Sequence, residues 1–215
     1  MGEVVTLTAA DGHRLDAYRA DPAGSPKGGV VVIQEIYGVN AHIRAVCDDY
    51  AQRGFRALAP ALYDRQQRHA AFEYKAELMP QIRALRVAID WQKLPLDVAA
   101  AIAALRPLGV GMVGYCLGGS VTWLAACRLD IDAGACYYPT DIGKQYQETP
   151  RRPVMMHFAE HDHIVTMDIV AKFKAAHPDV PAHLYPAKHG FNCWHRASES
   201  YDAPSSIRGS PARSW

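Results

Sequence analysis

The chain has 215 residues, of which 49% are hydrophobic and 21% are charged, a composition typical of one globular domain with a substantial core. Its 23 basic and 22 acidic residues leave a net charge of +1, which argues against nucleic acid or an anionic membrane surface as the main partner. The five cysteines are widely spaced without a C-x-x-C pair, so they indicate neither a disulfide framework nor a zinc cluster. We therefore expect a cytoplasmic protein that acts on a small molecule.

The apolar pattern predicts strands that alternate with helices. An antiparallel hairpin turning at Asp11-Gly12 opens the chain, and a continuous apolar run follows that is typical of a strand buried on both faces of a parallel sheet. The predicted strands are residues 4–8, 15–19, 29–33, 55–60, a central strand from 109, 133–138, 154–158 and 183–185, and the predicted helices are 40–53, 80–91, 96–105, 120–129 and 168–176. Residues 64–79 are expected to form a surface loop with a helical part. This order predicts an α/β class with a mostly parallel sheet and an antiparallel edge hairpin.

We expect one domain over residues 1–202, followed by a polar tail over 203–215. The tail carries proline, glycine and serine without helical spacing. No apolar run approaches the roughly 18 residues that a membrane span needs. A monomer or small homo-oligomer is expected, with no metal and no organic cofactor.

The most informative motif is Gly114-Tyr115-Cys116-Leu117-Gly118, between the central strand and a predicted helix. It matches the G-x-S-x-G corner of α/β-hydrolases, with sulfur in place of the serine oxygen. The positive end of the following helix favours a thiolate, and its N–H groups are available to bind an oxyanion. We interpret Cys116 as a nucleophile; a buried cysteine that only packs is the alternative.

Two partners for the thiol follow later strands. Asp162 and His189 complete the order nucleophile, acid, histidine, which is that of α/β-hydrolases. His189 would hold or accept a proton and Asp162 would fix its tautomer. His161 and His163 flank Asp162 and suggest a metal site, but adjacent residues of an extended loop point in different directions, so this reading is disfavoured.

The loop after the strand at 29–33 supplies the remaining candidates. In this fold the two oxyanion N–H groups come from that loop and from the residue after the nucleophile, which assigns them to Ile36 and Leu117. Glu35 would sit beside the thiol, where it either accepts the proton of Cys116 or is an ordinary charged loop residue. The residues alone leave both possibilities open.

Four motifs together resemble the dienelactone hydrolase family: residues 34–40 (QEIYGVN), 114–119 (GYCLGG), 161–165 (HDHIV) and 189–191 (HGF). The resemblance implies an α/β-hydrolase fold, a triad of Cys116, His189 and Asp162, and a Glu35 that takes the thiol proton when substrate binds. It also implies the reaction of the family, in which 4-carboxymethylenebut-2-en-4-olide opens to maleylacetate through an acyl-enzyme during the breakdown of chlorinated aromatics.

One position departs from the family pattern. The family anchors the substrate carboxylate with arginines, one of them four residues after the triad histidine, and here that residue is Cys193. Candidates for substrate contacts are Arg65, Arg68, Arg83, Arg196 and Tyr37. The departure keeps two alternatives open, a carboxylesterase or thioesterase of broader specificity and a thiol-bearing domain for binding or redox sensing.

Overall fold

A computed structural model of the chain describes residues 2–195, and within them eight strands form one sheet flanked by helices. The strands are β1 (Glu3–Thr8), β2 (Arg14–Ala20), β3 (Gly29–Ile33), β4 (Arg56–Pro60), β5 (Val110–Tyr115), β6 (Ala133–Tyr137), β7 (Val154–Ala159) and β8 (Ala182–Tyr185). The helices are α1 (Ala41–Gln52), α2 (Met79–Val87), α3 (Leu94–Leu105), α4 (Leu117–Arg128), α5 (Ile142–Gln145) and α6 (Met167–Ala176), and a 3-10 turn spans Ala76–Leu78. No helix in this part of the chain is long and apolar enough to cross a membrane.

The sheet has the order β1-β2-β4-β3-β5-β6-β7-β8. Strand β2 pairs antiparallel with both β1 and β4, and every other neighbouring pair is parallel. The predicted α/β class, the mostly parallel sheet and the antiparallel edge are therefore confirmed. Because β3, β5, β6, β7 and β8 run in the same direction, their carboxyl ends meet at one edge of the sheet, where side chains from distant parts of the sequence can meet.

The two faces of the sheet have separate apolar cores. Alternate residues of β3 point to opposite faces: Val31 and Ile33 belong to the core that α3 and α4 cover, while Val30 and Val32 belong to the core that α1 covers. All five residues of β3 are buried, as the continuous apolar run predicts. Asn40 is the N-cap of α1 as predicted, since its side chain accepts from the N–H of Ile43.

Some predicted boundaries were wrong. Helix α4 begins at Leu117 rather than at residue 120, because Gly118 and Gly119 are helical despite their low helix propensity. Helix α2 begins at Met79 and ends at Val87, short of the predicted residue 91, and the four-residue α5 had no periodic signal. Within 64–79, Ala71 forms an isolated bridge with Gly38, and the helical part is the 3-10 turn. The predicted tail lies outside the described residues.

Arg65 joins three separate segments through an ion-pair network that is buried at Asp97 and exposed at Asp11. Its guanidinium donates to both carboxylate oxygens of Asp97, at 2.8 and 2.7 Å, and to both of Asp11, at 2.8 and 3.1 Å. Asp97 lies in the first turn of α3 and is 1% exposed, and Asp11 lies in the turn between β1 and β2. The network thus ties the edge hairpin and α3 to the loop after β4.

Replacing Arg65 by methionine should lower the free energy of unfolding by about 3 kcal/mol, because it leaves the buried Asp97 carboxylate without its cation. Chemical denaturation at neutral pH measures this change. The matched control is Arg83→Met, since Arg83 is exposed on α2 and its removal should change stability by less than about 0.5 kcal/mol. Equal effects of the two substitutions would show that the network contributes nothing specific.

Candidate active site

Cys116 occupies a sharp corner between β5 and α4. Its backbone has φ 58° and ψ −115°, a conformation that is strained for a residue with a side chain. A Cβ on Gly114 would lie 1.9 Å from the carbonyl oxygen of Gly118, and one on Gly118 would lie 2.4 Å from that of Ile33. Both flanking glycines are therefore required by the close approach of α4 to the sheet, and they hold Cys116 in the geometry of a nucleophile corner.

His189 and Asp162 form a hydrogen-bonded pair at the same edge of the sheet. Asp162 follows β7 and His189 follows β8, and His189 Nδ1 lies 2.7 Å from Asp162 Oδ2. The other oxygen, Oδ1, accepts from the backbone N–H groups of Ile164 and Val165 at 2.8 and 3.1 Å. Both side chains of the pair are buried. This arrangement fixes the carboxylate and makes His189 Nδ1 the protonated nitrogen.

The charges of the pair are set by its neighbours. Burial alone would raise the pKa of Asp162, but the hydrogen bond from His189 and the two backbone N–H groups hold that pKa below its ordinary value. Burial alone would lower the pKa of His189, but the negative charge of Cys116 and the hydrogen bond to Asp162 raise that pKa to about 10. Because a side-chain hydrogen bond to Cys116 is among the causes of this shift, the sulfur lies within reach of the imidazole, as a nucleophile beside its acid-base group requires.

Two backbone N–H groups are available beside the corner. Neither Ile36 nor Leu117 donates its N–H to another residue within 2–195. Leu117 is the first residue of α4, so its N–H points out of the positive end of that helix. The predicted oxyanion donors are thus both unused within the described chain, as a site that stabilises a developing negative charge requires.

Glu35 is buried in a polar cluster and makes no hydrogen bond to Cys116. Its Oε2 accepts from the hydroxyl of Tyr74 at 2.9 Å, and the same hydroxyl lies 3.1 Å from the sulfur of Cys193. His42, at the start of α1, contributes the third member of the cluster. One ligand atom each from Glu35, His42 and Cys193 lies within 4.8 Å of the other two.

Tyr138 is a site residue that the sequence analysis missed. It follows β6, has φ 36° and is fully buried, and its ring lies 4.8 Å from that of His189. Its hydroxyl has no hydrogen-bond partner within residues 2–195. Burial raises the pKa of Tyr138, and the charges of Glu35, Cys193 and Cys116 raise it further. Its place after a predicted parallel strand was the signal that could have identified it.

The proposed substrate contacts are spread over the molecule. Arg65 is engaged by Asp97 and Asp11, as described above. Arg68 donates to Asp16 at 2.6 Å and to the carbonyl of Arg14 at 3.0 Å, which places it beside the edge hairpin. Arg83 is exposed on α2, and Arg196 lies outside the described residues. These contacts bring neither Arg65 nor Arg68 to Cys116. His161 and His163 are exposed on either side of the buried Asp162.

A cleft of about 930 Å³ lies on the outer side of the Glu35 cluster. Tyr37, His42 and Tyr74 line it on the side of the cluster, and Cys116 is not among its lining residues. The ring of Tyr37 lies 4.5 Å from that of Tyr74, which is bonded to Glu35, so Tyr74 stands between the cleft and the carboxylate. Both cations of its lining are engaged: Arg44 donates to the carbonyl of Val39 at 3.2 Å, and Lys75 pairs with Glu73 at 2.6 Å.

Comparison with known proteins agrees with this geometry. The family model described as "Dienelactone hydrolase family" matches residues 15–209. A carboxymethylenebutenolidase of Pseudomonas putida is 32% identical over 201 residues, which cover 88% of this chain and 85% of that protein. A solved structure of a Klebsiella pneumoniae protein assigned to the dienelactone hydrolases is 25% identical with a TM-score of 0.80, covering 96% of this chain and 95% of the other.

A dienelactone hydrolase-like promiscuous phosphotriesterase from metagenomic libraries has the same fold, with 21% identity, a TM-score of 0.68, and coverage of 97% of this chain and 94% of the other. The family match spans most of the chain and contains the strand-end loops that carry Cys116, Asp162 and His189. The chain therefore belongs to the dienelactone hydrolase family and is a dienelactone hydrolase-like hydrolase.

Proposed function

We propose that the chain hydrolyses a lactone or ester through a thioester acyl-enzyme on Cys116. The observation that carries this proposal is the strained corner at Cys116 beside the hydrogen-bonded pair of His189 and Asp162. Three segments that follow strands supply the three groups that the reaction needs: a nucleophile, a general acid-base group and a carboxylate that orients it.

In the first step the Cys116 thiolate attacks the substrate carbonyl carbon, and the carbonyl oxygen becomes an oxyanion. The N–H groups of Leu117 and Ile36 stabilise that charge. Collapse of the tetrahedral intermediate breaks the bond to the ester oxygen, which leaves as an enolate if the substrate is an enol lactone. Because an enolate is a good leaving group, a thiolate suffices as the nucleophile. His189 Nε2 donates its proton to the departing oxygen, which leaves the imidazole neutral for the next step.

In the second step a water molecule attacks the thioester. His189 Nε2, now neutral, accepts a proton from that water, and Asp162 stabilises the imidazolium that forms. The C–S bond breaks, the carboxylic acid product leaves and Cys116 returns to the thiolate. No group is oxidised or reduced, and the net change is the addition of one water across the ester bond.

Glu35 is the second proton acceptor that the family resemblance assigns to the thiol. Here its carboxylate is bonded to Tyr74, so a proton exchange with Cys116 requires the carboxylate to leave that hydroxyl when substrate binds. Tyr74 and Tyr37 line the cleft, so a molecule bound there contacts the tyrosine that holds the Glu35 carboxylate.

The substrate class comes from the relatives and from the charges of the site. Relatives named carboxymethylenebutenolidase support an enol lactone that bears a carboxylate. A second candidate, a broader carboxylesterase, is supported by Cys193 at the expected arginine position and by the pairing of Arg65 and Arg68 with aspartates. A neutral ester needs no carboxylate anchor, since its binding rests on apolar contacts and the oxyanion donors.

The two candidates are separated by comparing kcat/KM for a carboxylated enol lactone with that for p-nitrophenyl acetate. We expect the lactone to be preferred by about tenfold or more, which corresponds to roughly 1.4 kcal/mol of discrimination. Cys116→Ala should lower both activities by about a thousandfold or more, because it removes the nucleophile. Acid quench followed by mass spectrometry should place the acyl group on the peptide that contains Cys116.

The matched control for that experiment is Cys127→Ala, which removes a buried cysteine of α4 outside the site and should retain both activities. Equal kcat/KM values for the two substrates would favour the broader carboxylesterase. Turnover of neither substrate, or full activity in Cys116→Ala, would contradict hydrolysis by this thiol and leave the binding or redox-sensing domain as the better explanation.

The raised pKa of His189 predicts a pH-dependent contribution to stability. A group whose pKa is higher in the folded chain stabilises fully below its unfolded value of 6.5, and this stabilisation is lost as the pH rises to about 10. The difference in unfolding free energy between wild type and His189→Gln should therefore be larger at pH 6 than at pH 10.5, by about 1 kcal/mol or more. Denaturant unfolding under reducing conditions at both pH values measures it.

The control is His161→Gln, because His161 is an exposed histidine of the neighbouring loop. Its difference from wild type should be small and equal at the two pH values. A His189→Gln difference that stays constant, or that grows with pH, would show that His189 is not held as an imidazolium in the folded chain.

A further inference from the structure

We propose that Glu35, His42 and Cys193 form a binding site for Zn²⁺ or a similar divalent transition metal. The three side chains come from different places in the fold: Glu35 follows β3, His42 lies in the first turn of α1, and Cys193 lies in the loop beyond His189. They offer one carboxylate oxygen, one imidazole nitrogen and one sulfur, all within 4.8 Å of one another. This site goes beyond the hydrolysis of an ester and does not depend on it.

The donor set selects the class of metal. Thiolate and imidazole ligands suit zinc and cobalt, whereas magnesium and calcium prefer oxygen ligands alone. Three protein ligands from Cys, His and carboxylate residues, with a fourth position left for water or a small molecule, are the pattern of zinc sites that keep an open coordination position. No sequence motif predicts this site, since Glu35, His42 and Cys193 do not have the spacing of a zinc motif.

Charge balance favours a cation at this cluster. Glu35 is 2% exposed, and within residues 2–195 it forms no ion pair with a lysine, arginine or histidine. A buried carboxylate without a cation is costly, and a second acidic group, the Cys193 thiol, lies beside it. A divalent ion together with the Glu35 carboxylate and a Cys193 thiolate has zero net charge, and neutral His42 completes the set.

The geometry needs little adjustment to hold the ion. In tetrahedral zinc coordination the ligand atoms lie about 3.3 to 3.6 Å from one another. The three atoms here lie within 4.8 Å of one another, so they must approach by at most about 1.5 Å. The hydroxyl of Tyr74 now bridges Glu35 and Cys193, and it would remain within reach of the second carboxylate oxygen. Tyr138 adds an independent observation, since its hydroxyl is buried without a partner within the described chain and the charges of Glu35 and Cys193 act on it.

The competing explanation is a metal-free cluster held by the two hydrogen bonds of Tyr74. Cobalt(II) distinguishes the two, because a thiolate ligand gives an intense charge-transfer band and a tetrahedral site gives visible d–d bands. The full-length chain should carry Cys116→Ser, which removes the catalytic thiol as an alternative ligand. Titration of this metal-free, reduced protein with Co²⁺ should produce both sets of bands and saturate at one equivalent. Zn²⁺ should displace the cobalt and raise the melting temperature.

Added to that background, Cys193→Ser should abolish the charge-transfer band, and His42→Gln and Glu35→Gln should each weaken cobalt binding by about tenfold or more. Cys127→Ser is the matched control and should leave the spectrum and the affinity unchanged. Circular dichroism and melting curves without metal show whether each variant is folded, and the three independent ligand variants keep the test decisive if one is not. Absence of the charge-transfer band in the Cys116→Ser protein, its survival in Cys193→Ser, or its equal loss in Cys127→Ser would overturn the proposal.

Discussion

The close approach of α4 to the carboxyl ends of β3 and β5 is the constraint on which the site depends. At Gly118 the helix backbone lies so near the carbonyl of Ile33 that no side chain fits, and at Gly114 the strand is equally close to the helix. The chain can then connect β5 to α4 only through a strained residue, Cys116, at a cost of the order of 1 to 3 kcal/mol. Burial of α4 from Leu117 to Cys127 offsets that strain and keeps the thiol in one position.

The parts of the fold that can be predicted from the sequence are those with a local signal, whereas those that depend on a tertiary contact such as this one cannot. The apolar run of β3 and the glycine-flanked Cys116 are local signals, so the sheet class and the corner follow from them directly. The start of α4 does not, because Gly118 and Gly119 are poor helix formers and are helical only through a tertiary contact. Tertiary packing likewise decides the ends of α2 and the existence of α5, which have no periodic pattern of their own.

The same distinction between local sequence signals and tertiary contacts applies to the residues of the candidate site. Asp162 and His189 could be placed because each follows a predicted strand whose carboxyl end lies at the edge of the sheet that carries Cys116. The surroundings of Glu35 could not be placed in this way. His42 lies on a helix, Tyr74 in a loop without a pattern, and Cys193 beyond the last strand, and only the folded chain shows that they converge on one carboxylate.

The negative charge of the Glu35 carboxylate affects both which substrate the site prefers and whether the cluster binds a metal ion. A substrate carboxylate placed beside the buried Glu35 would add a second negative charge where the described residues supply no cation, which opposes its binding. A neutral ester avoids this repulsion. A divalent ion held by Glu35, His42 and Cys193 would turn this repulsion into an attraction. The ion neutralises the cluster and leaves a coordination position that a carboxylate can fill. Metal occupancy of this cluster would therefore increase the preference of the enzyme for carboxylated lactones over neutral esters.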